Sequence, residues 1–351
     1  MGIVAMMPGS EALTVVGTGS WGTTLALLEA RYGRPTTLLT RTPTEAAELR
    51  AAGEHARVAP GHAFPASLRI TSDPEQALDG CAVVLLAVPS QSMRANAERL
   101  RPYLRPETIV LSCAKGLERG SLKRMSQVLS EVLPEHAQRI GALSGPNIAR
   151  EILEGRPATT VIGVAEHCYA EQAQRLLTTP TFRVYTSDDV VGIELAGALK
   201  NIIALGAGFA DGLEAGDNAK AAFLTRGLAE IARLGIVLGA QPLTFAGLAG
   251  LGDLVATCTS PWSRNRWLGE ALARGLTLDQ AQAQLGGQVA EGVTTLQTAR
   301  ALAARYGVEM PIADQLYQVL FAAKAPRQAI ADLMQREVKH ELDGMRGLLG
   351  L

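Results

Sequence analysis

The chain has 351 residues, 47% of them hydrophobic and 19% charged, with a formal net charge of −1. That length can hold two domains, each with its own core. The balanced charge argues against a nucleic-acid partner and against a charged disordered tail.

The opening residues, Met1 to Pro8, lack a basic n-region and are too short for a signal peptide, so they read as a loose arm. Leu234 to Gly252 carries no charge over 19 positions, near the length of a membrane span, but Gln241, Pro242 and five glycines make it a helix end plus loop. No membrane span is expected. The four cysteines, Cys81, Cys113, Cys168 and Cys258, lie 32, 55 and 90 positions apart, with no C-x-x-C, so neither a metal knuckle nor a disulfide framework is expected. The compartment implied is the reducing cytoplasm. The five histidines are scattered without ligand spacing and read as surface or loop residues, and no metal is expected.

Taken in order, the first element is a strand, Leu13-Thr14-Val15-Val16, which runs into Gly17-Thr18-Gly19-Ser20-Trp21-Gly22 and then a helical pattern from Thr23. In a strand-turn-helix, Gly17 permits the tight turn, Gly19 lets the backbone approach a pyrophosphate and Gly22 lets helix and sheet pack closely. The helix N-terminus then aims free N–H groups at the anion. A bare G-x-G-x-x-G means little in a chain with 36 glycines; the preceding strand, the following helix and a second strand, Thr36 to Thr40, give it weight. An Asp or Glu about 20 residues past the last glycine would accept the 2'-hydroxyl of an unphosphorylated ribose. The residue 19 positions past Gly22 is Arg41, whose donors suit a 2'-phosphate. The cofactor expected is therefore NADP(H), with NAD(H) tolerated and FAD disfavoured.

Thr42 to Arg69 reads as polar and irregular, with strand character returning at Ser67 to Thr71. Asp73-Pro74-Glu75 opens a short helix to about Leu78. Cys81 to Val88 is an apolar run typical of a parallel strand buried on both faces, and it stops at Pro89-Ser90. Thr108 to Ser112 ends in Cys113-Ala114-Lys115-Gly116, and Ile140 to Leu143 ends in Ser144-Gly145-Pro146-Asn147. With Thr159 to Val164 and Phe182 to Thr186, the alternation predicts a doubly wound sheet that delivers small polar residues and Lys115 to one rim.

The character changes at Ser187. Helical patterns run from Val190 towards Phe209, then over Ala219–Leu238, Trp267–Arg274, Leu278–Leu285, Thr294–Tyr306, Ile312–Phe321 and Arg327–Met334. The architecture expected is an α/β Rossmann-type dinucleotide-binding domain, residues 1–186, followed by an all-α C-terminal domain, residues 187–351.

Between Val190 and Phe209 only Glu194 and Lys200 are charged, and Lys200 has only Ala196, Gly197, Ile203 and Ala204 as helical neighbours. In a chain with 27 arginines and six lysines, a lysine in an apolar helix points to a compact, titratable amine in a cleft. Gly247 to Asp253 reads as a glycine-rich loop delivering an acid. Ser263-Arg264-Asn265-Arg266 reads either as a polar helix start or as hydroxyl, guanidinium and amide donors suited to a phosphate, and Val289-Ala290-Glu291-Gly292 is a further polar break between helices.

With these residues the chain resembles the bacterial NAD(P)-dependent sn-glycerol-3-phosphate dehydrogenase family. The likeness runs through G-T-G-S-W-G, A-K-G-L-E, S-G-P-N-I-A, G-A-L-K-N-I-I-A-L-G-A-G, L-T-R-G-L-A-E-I-A-R-L-G, G-L-G-D-L, S-R-N-R and V-A-E-G, from about Leu13 to Lys324. The resemblance implies a site in the cleft between the two halves. It makes Ser20, Trp21, Arg41, Lys115, Ala149, Arg264, Val289 and Glu291 cofactor contacts. It places Lys115, Gly145, Asn147, Lys200, Asp253, Ser263, Arg264 and Asn265 at the substrate, with Lys200 matching the family's catalytic acid/base. Asn147 stands where the family usually has Thr or Ser, and His55 to Ala59 lacks the usual Asn and Tyr before Pro-Gly.

The expected reaction is reversible reduction of dihydroxyacetone phosphate to sn-glycerol 3-phosphate, supplying glycerophospholipid synthesis. Lys200 would protonate the carbonyl oxygen, Asp253 would keep that amine charged, and a homodimer is implied. The alternatives are a β-hydroxyacid or 6-phosphogluconate-type dehydrogenase, and an NADP(H)-binding sensor that needs Arg41 and the glycines but not Lys200, Asp253 and Arg264 together.

Overall fold

The computed structural model describes residues 12–286, 289–338, 340, 341 and 344. Eight strands form one sheet: β1 (Ala12–Val16), β2 (Thr36–Leu39), β3 (Leu68–Thr71), β4 (Cys81–Leu86), β5 (Ile109–Ser112), β6 (Ile140–Ser144), β7 (Ala158–Val164) and β8 (Phe182–Ser187). Their spatial order is β3-β2-β1-β4-β5-β6-β7-β8, so the winding reverses between β1 and β4. The first six strands are parallel. β7 runs antiparallel to β6, and β8 parallel to β7.

The apolar runs form central strands because both faces are covered. Leu13, Val15, Val83, Leu85, Ile109 and Leu111 point to one side, where they pack with Leu25 and Ala26 of the helix Ser20–Arg31 and Leu177 of the helix His167–Leu177. Val16, Val84, Leu86 and Val110 point to the other, against Met93 and Ala97 of the helix Met93–Leu100 and Val128 of the helix Met125–Val132.

Among the described residues, every helix or strand after Ser187 is helical. The centre of this half is the helix Val190–Gly212, in which every residue from Gly192 to Phe209 is buried. It is apolar all round because the helices Asp217–Val237, Asp253–Thr259, Arg264–Ala273 and Glu291–Tyr306, together with β6 and β7, surround it. By length and hydropathy it could cross a membrane, yet 89% of its most apolar window is buried in the protein. Pro242–Thr259 reaches the same threshold only as three consecutive short helical pieces.

The sheet is doubly wound as expected, and alternation in sequence left the direction of β7 unspecified. Three expectations need correction. Thr42 to Arg69 is not irregular throughout: Pro43–Ala52 is a helix capped by Thr42, whose Oγ1 accepts the Glu45 N–H at 3.2 Å, and closed by Gly53. It buries only Ala46 and Leu49, too narrow a stripe to show as periodicity. The stretch before Asp253 is not a loop but a π-helical turn, Leu248–Gly252, feeding the helix Asp253–Thr259. Of the histidines, His55 lies in a loop as expected, though buried, whereas His136 is buried in the short helix Pro134–Arg139 with Nε2 2.8 Å from the Arg105 carbonyl. All four cysteines are free.

Candidate active site

The glycine turn sits at the carboxyl end of β1, beside the reversal in strand order where open α/β sheets bind ligands. Gly17 has φ +106°, and a Cβ there would lie 2.7 Å from the Ala87 carbonyl oxygen. A Cβ on Gly22 would lie 2.1 Å from the Gly17 oxygen, so only glycine allows turn and helix to close together. At Gly19 a Cβ would meet nothing within 4 Å, and the helix it caps receives no side-chain hydrogen bond at its start. An open face beside uncapped N–H groups fits a dinucleotide pyrophosphate.

Ser20 and Trp21 begin this helix, half-buried. The Trp21 ring turns into the core, 6.4 Å from Phe182, which leaves its backbone N–H at the turn. Arg41 follows β2 with its side chain exposed. Ala149 opens the short helix Ala149–Leu153, half-buried, and that helix packs on the one that follows the glycine turn.

Around the next strand ends, residues far apart in sequence converge. Lys115, just past β5, donates from Nζ to the Gly145 carbonyl at 3.0 Å and to Asp253 Oδ2 at 2.7 Å. Lys200 Nζ donates to Asp253 Oδ1 at 2.7 Å and to the Thr257 hydroxyl. One carboxylate thus bridges two ammonium groups, one from each half of the chain. Asp253 is 1% exposed and Lys200 4%. Burial pulls the Lys200 pKa down to about 8, with Asp253 opposing the shift and Lys115 adding to it. Asp253 acts in the expected direction, favouring the ammonium, while desolvation is the larger effect and brings the amine within reach of neutral pH.

A second network lies alongside. Asn201, next to Lys200, donates from Nδ2 to the Lys115 carbonyl at 3.1 Å and accepts from Asn265 Nδ2 at 2.9 Å. Asn265 Oδ1 accepts the Gly292 N–H at 2.9 Å. Ser263 caps the helix Arg264–Ala273 by accepting the Arg266 N–H at 3.3 Å. Arg264 remains exposed at this helix start and interacts electrostatically with Glu291. Glu291 begins the helix Glu291–Tyr306 and accepts the Ser90 N–H at 3.4 Å. Burial raises its pKa; the Ser90 N–H, then Arg264, Lys115 and Lys200, oppose the rise. The site as a whole carries three cationic side chains against two carboxylates, a balance suited to a phosphorylated ligand.

Two expected site residues are occupied elsewhere. Asn147 donates to the Thr159 carbonyl at 2.9 Å and accepts from the Thr160 hydroxyl at 3.1 Å, which ties it to β7. Asn265 likewise spends its carbonyl and one N–H on Gly292 and Asn201. Val289 is 46% exposed on the segment leading to Glu291. The site also contains Thr257 and Asn201, which the sequence reading passed over. Their signals were spacing one turn after Asp253 and adjacency to Lys200.

Comparison with known proteins supplies the family. The N-terminal model of the NAD-dependent glycerol-3-phosphate dehydrogenases matches residues 12–170, and the C-terminal model residues 189–331. A glycerol-3-phosphate dehydrogenase [NAD(P)+] of Moorella thermoacetica is 46% identical over 95% of this chain and 98% of its own, and one of Desulfitobacterium hafniense is 48% identical over 94% and 93%. Among solved structures, glycerol-3-phosphate dehydrogenase from Coxiella burnetii superposes with a TM-score of 0.88 at 36% identity, covering 94% of this chain and all of that one. A ketopantoate reductase from Ralstonia eutropha, at a TM-score of 0.58 and 18% identity, shares the fold alone. The chain belongs to the NAD-dependent glycerol-3-phosphate dehydrogenase family.

Proposed function

We infer that this chain interconverts dihydroxyacetone phosphate and sn-glycerol 3-phosphate with NADP(H), and also with NAD(H). The observation that carries this reading is the buried Lys115–Asp253–Lys200 bridge at the carboxyl ends of β5 and β6, beside the glycine turn. The chemistry the nicotinamide supplies when bound is a hydride to the substrate ketone.

Lys200 Nζ spends two N–H groups on Asp253 and Thr257, and its third stabilises and then protonates the oxygen on which charge builds. A pKa near 8 suits both directions, because the amine can give up a proton in reduction and take one in oxidation. Asp253 holds Lys200 and Lys115 in register. The phosphate is received by Arg264 and the N–H groups that open the helix behind Ser263. Lys115, the Gly145 backbone and the free N–H groups of Asn147 and Asn265 complete the substrate contacts. Gly17, Gly19, Ser20, Trp21 and Gly22 cradle the pyrophosphate, Arg41 takes the 2'-phosphate, and Lys115, Ala149, Arg264, Val289 and Glu291 face the rest of the dinucleotide.

This reading divides the chain at residues 186 and 187. Carried over from the family resemblance, it makes the protein a cytoplasmic homodimer supplying glycerophospholipid synthesis, and the four free cysteines support a reducing compartment.

The test is Lys200→Met. The variant should bind NADPH as the parent does and lose about 10²- to 10⁴-fold in reduction of dihydroxyacetone phosphate, followed at the nicotinamide absorbance. Turnover near that of the parent would remove Lys200 from the chemistry.

A further inference from the structure

The roles assigned above leave one carboxylate beside the glycine turn unused. Glu45 lies in the first turn of the helix Pro43–Ala52. Its Oε1 accepts the Thr18 hydroxyl, and its Oε2 accepts the Arg41 backbone N–H at 3.1 Å. Thr18 is the second residue of the glycine turn, and Arg41 lies two residues past the end of β2. Since β1 and β2 are paired in parallel from Leu13–Thr36 to Val16–Leu39, the carboxylate spans the gap between their carboxyl ends.

In a Rossmann unit the adenosine ribose lies over this gap, and an acid at the end of the second strand reads its 2'-hydroxyl. Here the strand end presents Arg41. The acid is displaced by about one helical turn, and the fold brings it back to the same place. His55, from the segment to which no role was assigned, is buried on the other side of the turn. It hydrogen-bonds to the backbone of Thr18 and interacts electrostatically with Glu45 and Arg57. The carboxylate is thus braced, half-buried, with about half of its roughly four acceptor sites still open.

We propose that Glu45 sets the balance between the two cofactors by accepting the free ribose hydroxyl of NAD(H) and opposing the 2'-phosphate of NADP(H) that Arg41 attracts. The proposal rests on the dinucleotide reading given above. Two groups of opposite preference at one ribose make the chain a user of both cofactors, whereas Arg41 alone would make it selective for one.

The experiment is calorimetric titration of the whole chain with two fragments, adenosine 2',5'-bisphosphate and ADP, alongside kcat/KM for NADPH and NADH. Glu45→Gln keeps the shape, and with its amide oxygen on the Arg41 N–H and its Nε2 donating to the Thr18 hydroxyl it keeps both contacts. It should tighten the bisphosphate about tenfold by removing a like charge, and weaken ADP about threefold by loss of a charged acceptor. The NADPH-to-NADH ratio should rise in step. Glu45→Asp retains the charge and should retain most of the parent's discrimination. Fragments that shift together, or neither by more than about twofold, would overturn the proposal, as would an Asp variant that behaves like Gln. Arg41→Ala in the same assay should weaken only the bisphosphate. An equal loss for both fragments refutes the Arg41 assignment and leaves the Glu45 comparison readable, while failure of the parent to bind either fragment overturns both.

Discussion

Lys200 shows how a single position acquires its chemistry. Its isolation in an apolar helix was visible in sequence, but its titration depends on who stands beside it. Removal from water lowers its pKa, a carboxylate shared with Lys115 restores part of the shift, and about 8 is the result. With Lys200 as the proposed acid, reduction needs the ammonium, so kcat/KM for dihydroxyacetone phosphate should fall as the pH rises through about 8. Oxidation of sn-glycerol 3-phosphate needs the neutral amine and should rise over the same interval. Asp253→Asn removes the opposing charge and should move both midpoints down. Steady-state pH profiles in both directions measure this, and profiles flat between about pH 6 and 10 would contradict it. Lys115 and Asp253 were legible for the same reason as Lys200, as charged residues following glycines or apolar runs. Thr257 and Asn201 were not, because a threonine or asparagine in a helix looks the same whether or not it holds a lysine in place.

At the scale of elements, the approach of two helices places the turn at Ser263 that is proposed to receive the phosphate. The helix Val190–Gly212 carries Lys200, and the helix Arg264–Ala273 starts at Ser263. They cross backbone to backbone: a Cβ on Gly269 would sit 1.9 Å from the Leu205 carbonyl oxygen, and one on Gly208 1.9 Å from that of Arg266. Gly269→Ala must push them apart, at a cost of about 1–3 kcal/mol or more. Denaturant titration should show that loss, and KM for dihydroxyacetone phosphate should rise as Arg264 and Asn265 withdraw from Lys200. Unchanged stability and KM would mean that the crossing is not tight. Most helices and strands were readable from period and caps. Pro43–Ala52 escaped because it buries two residues, and the π-helical turn before Asp253 because five residues with two glycines carry no helical signal.

On the scale of the whole molecule, a buried acid other than those of the site also joins the two halves. Glu194, one and a half turns before Lys200, accepts the Ser126 N–H at 2.7 Å and hydroxyl at 2.6 Å, and pairs with Arg124 at 2.5 Å. This clamp fixes the lysine-bearing helix to the helix Met125–Val132 that covers the sheet. Glu194→Ala leaves the mostly buried Arg124 guanidinium without its counter-charge, joined only to the Ser126 hydroxyl at 2.8 Å, and should cost on the order of 3 kcal/mol. It should also lower kcat for the reduction while NADPH affinity holds. A variant as stable and active as the parent would show that the halves are aligned by other contacts.

The sequence by itself determined the strands, most helices of the second half, the strand-turn-helix at Gly17 to Gly22, and the family, because these follow from local period, backbone freedom and an ordered series of motifs. Tertiary structure alone decided the direction of β7, the shared carboxylate of Asp253, the pKa of Lys200 and the return of Glu45 to the glycine turn. Each of these depends on desolvation or on a meeting of groups between 17 and 138 residues apart, and neither is encoded in the spacing of neighbours along the chain.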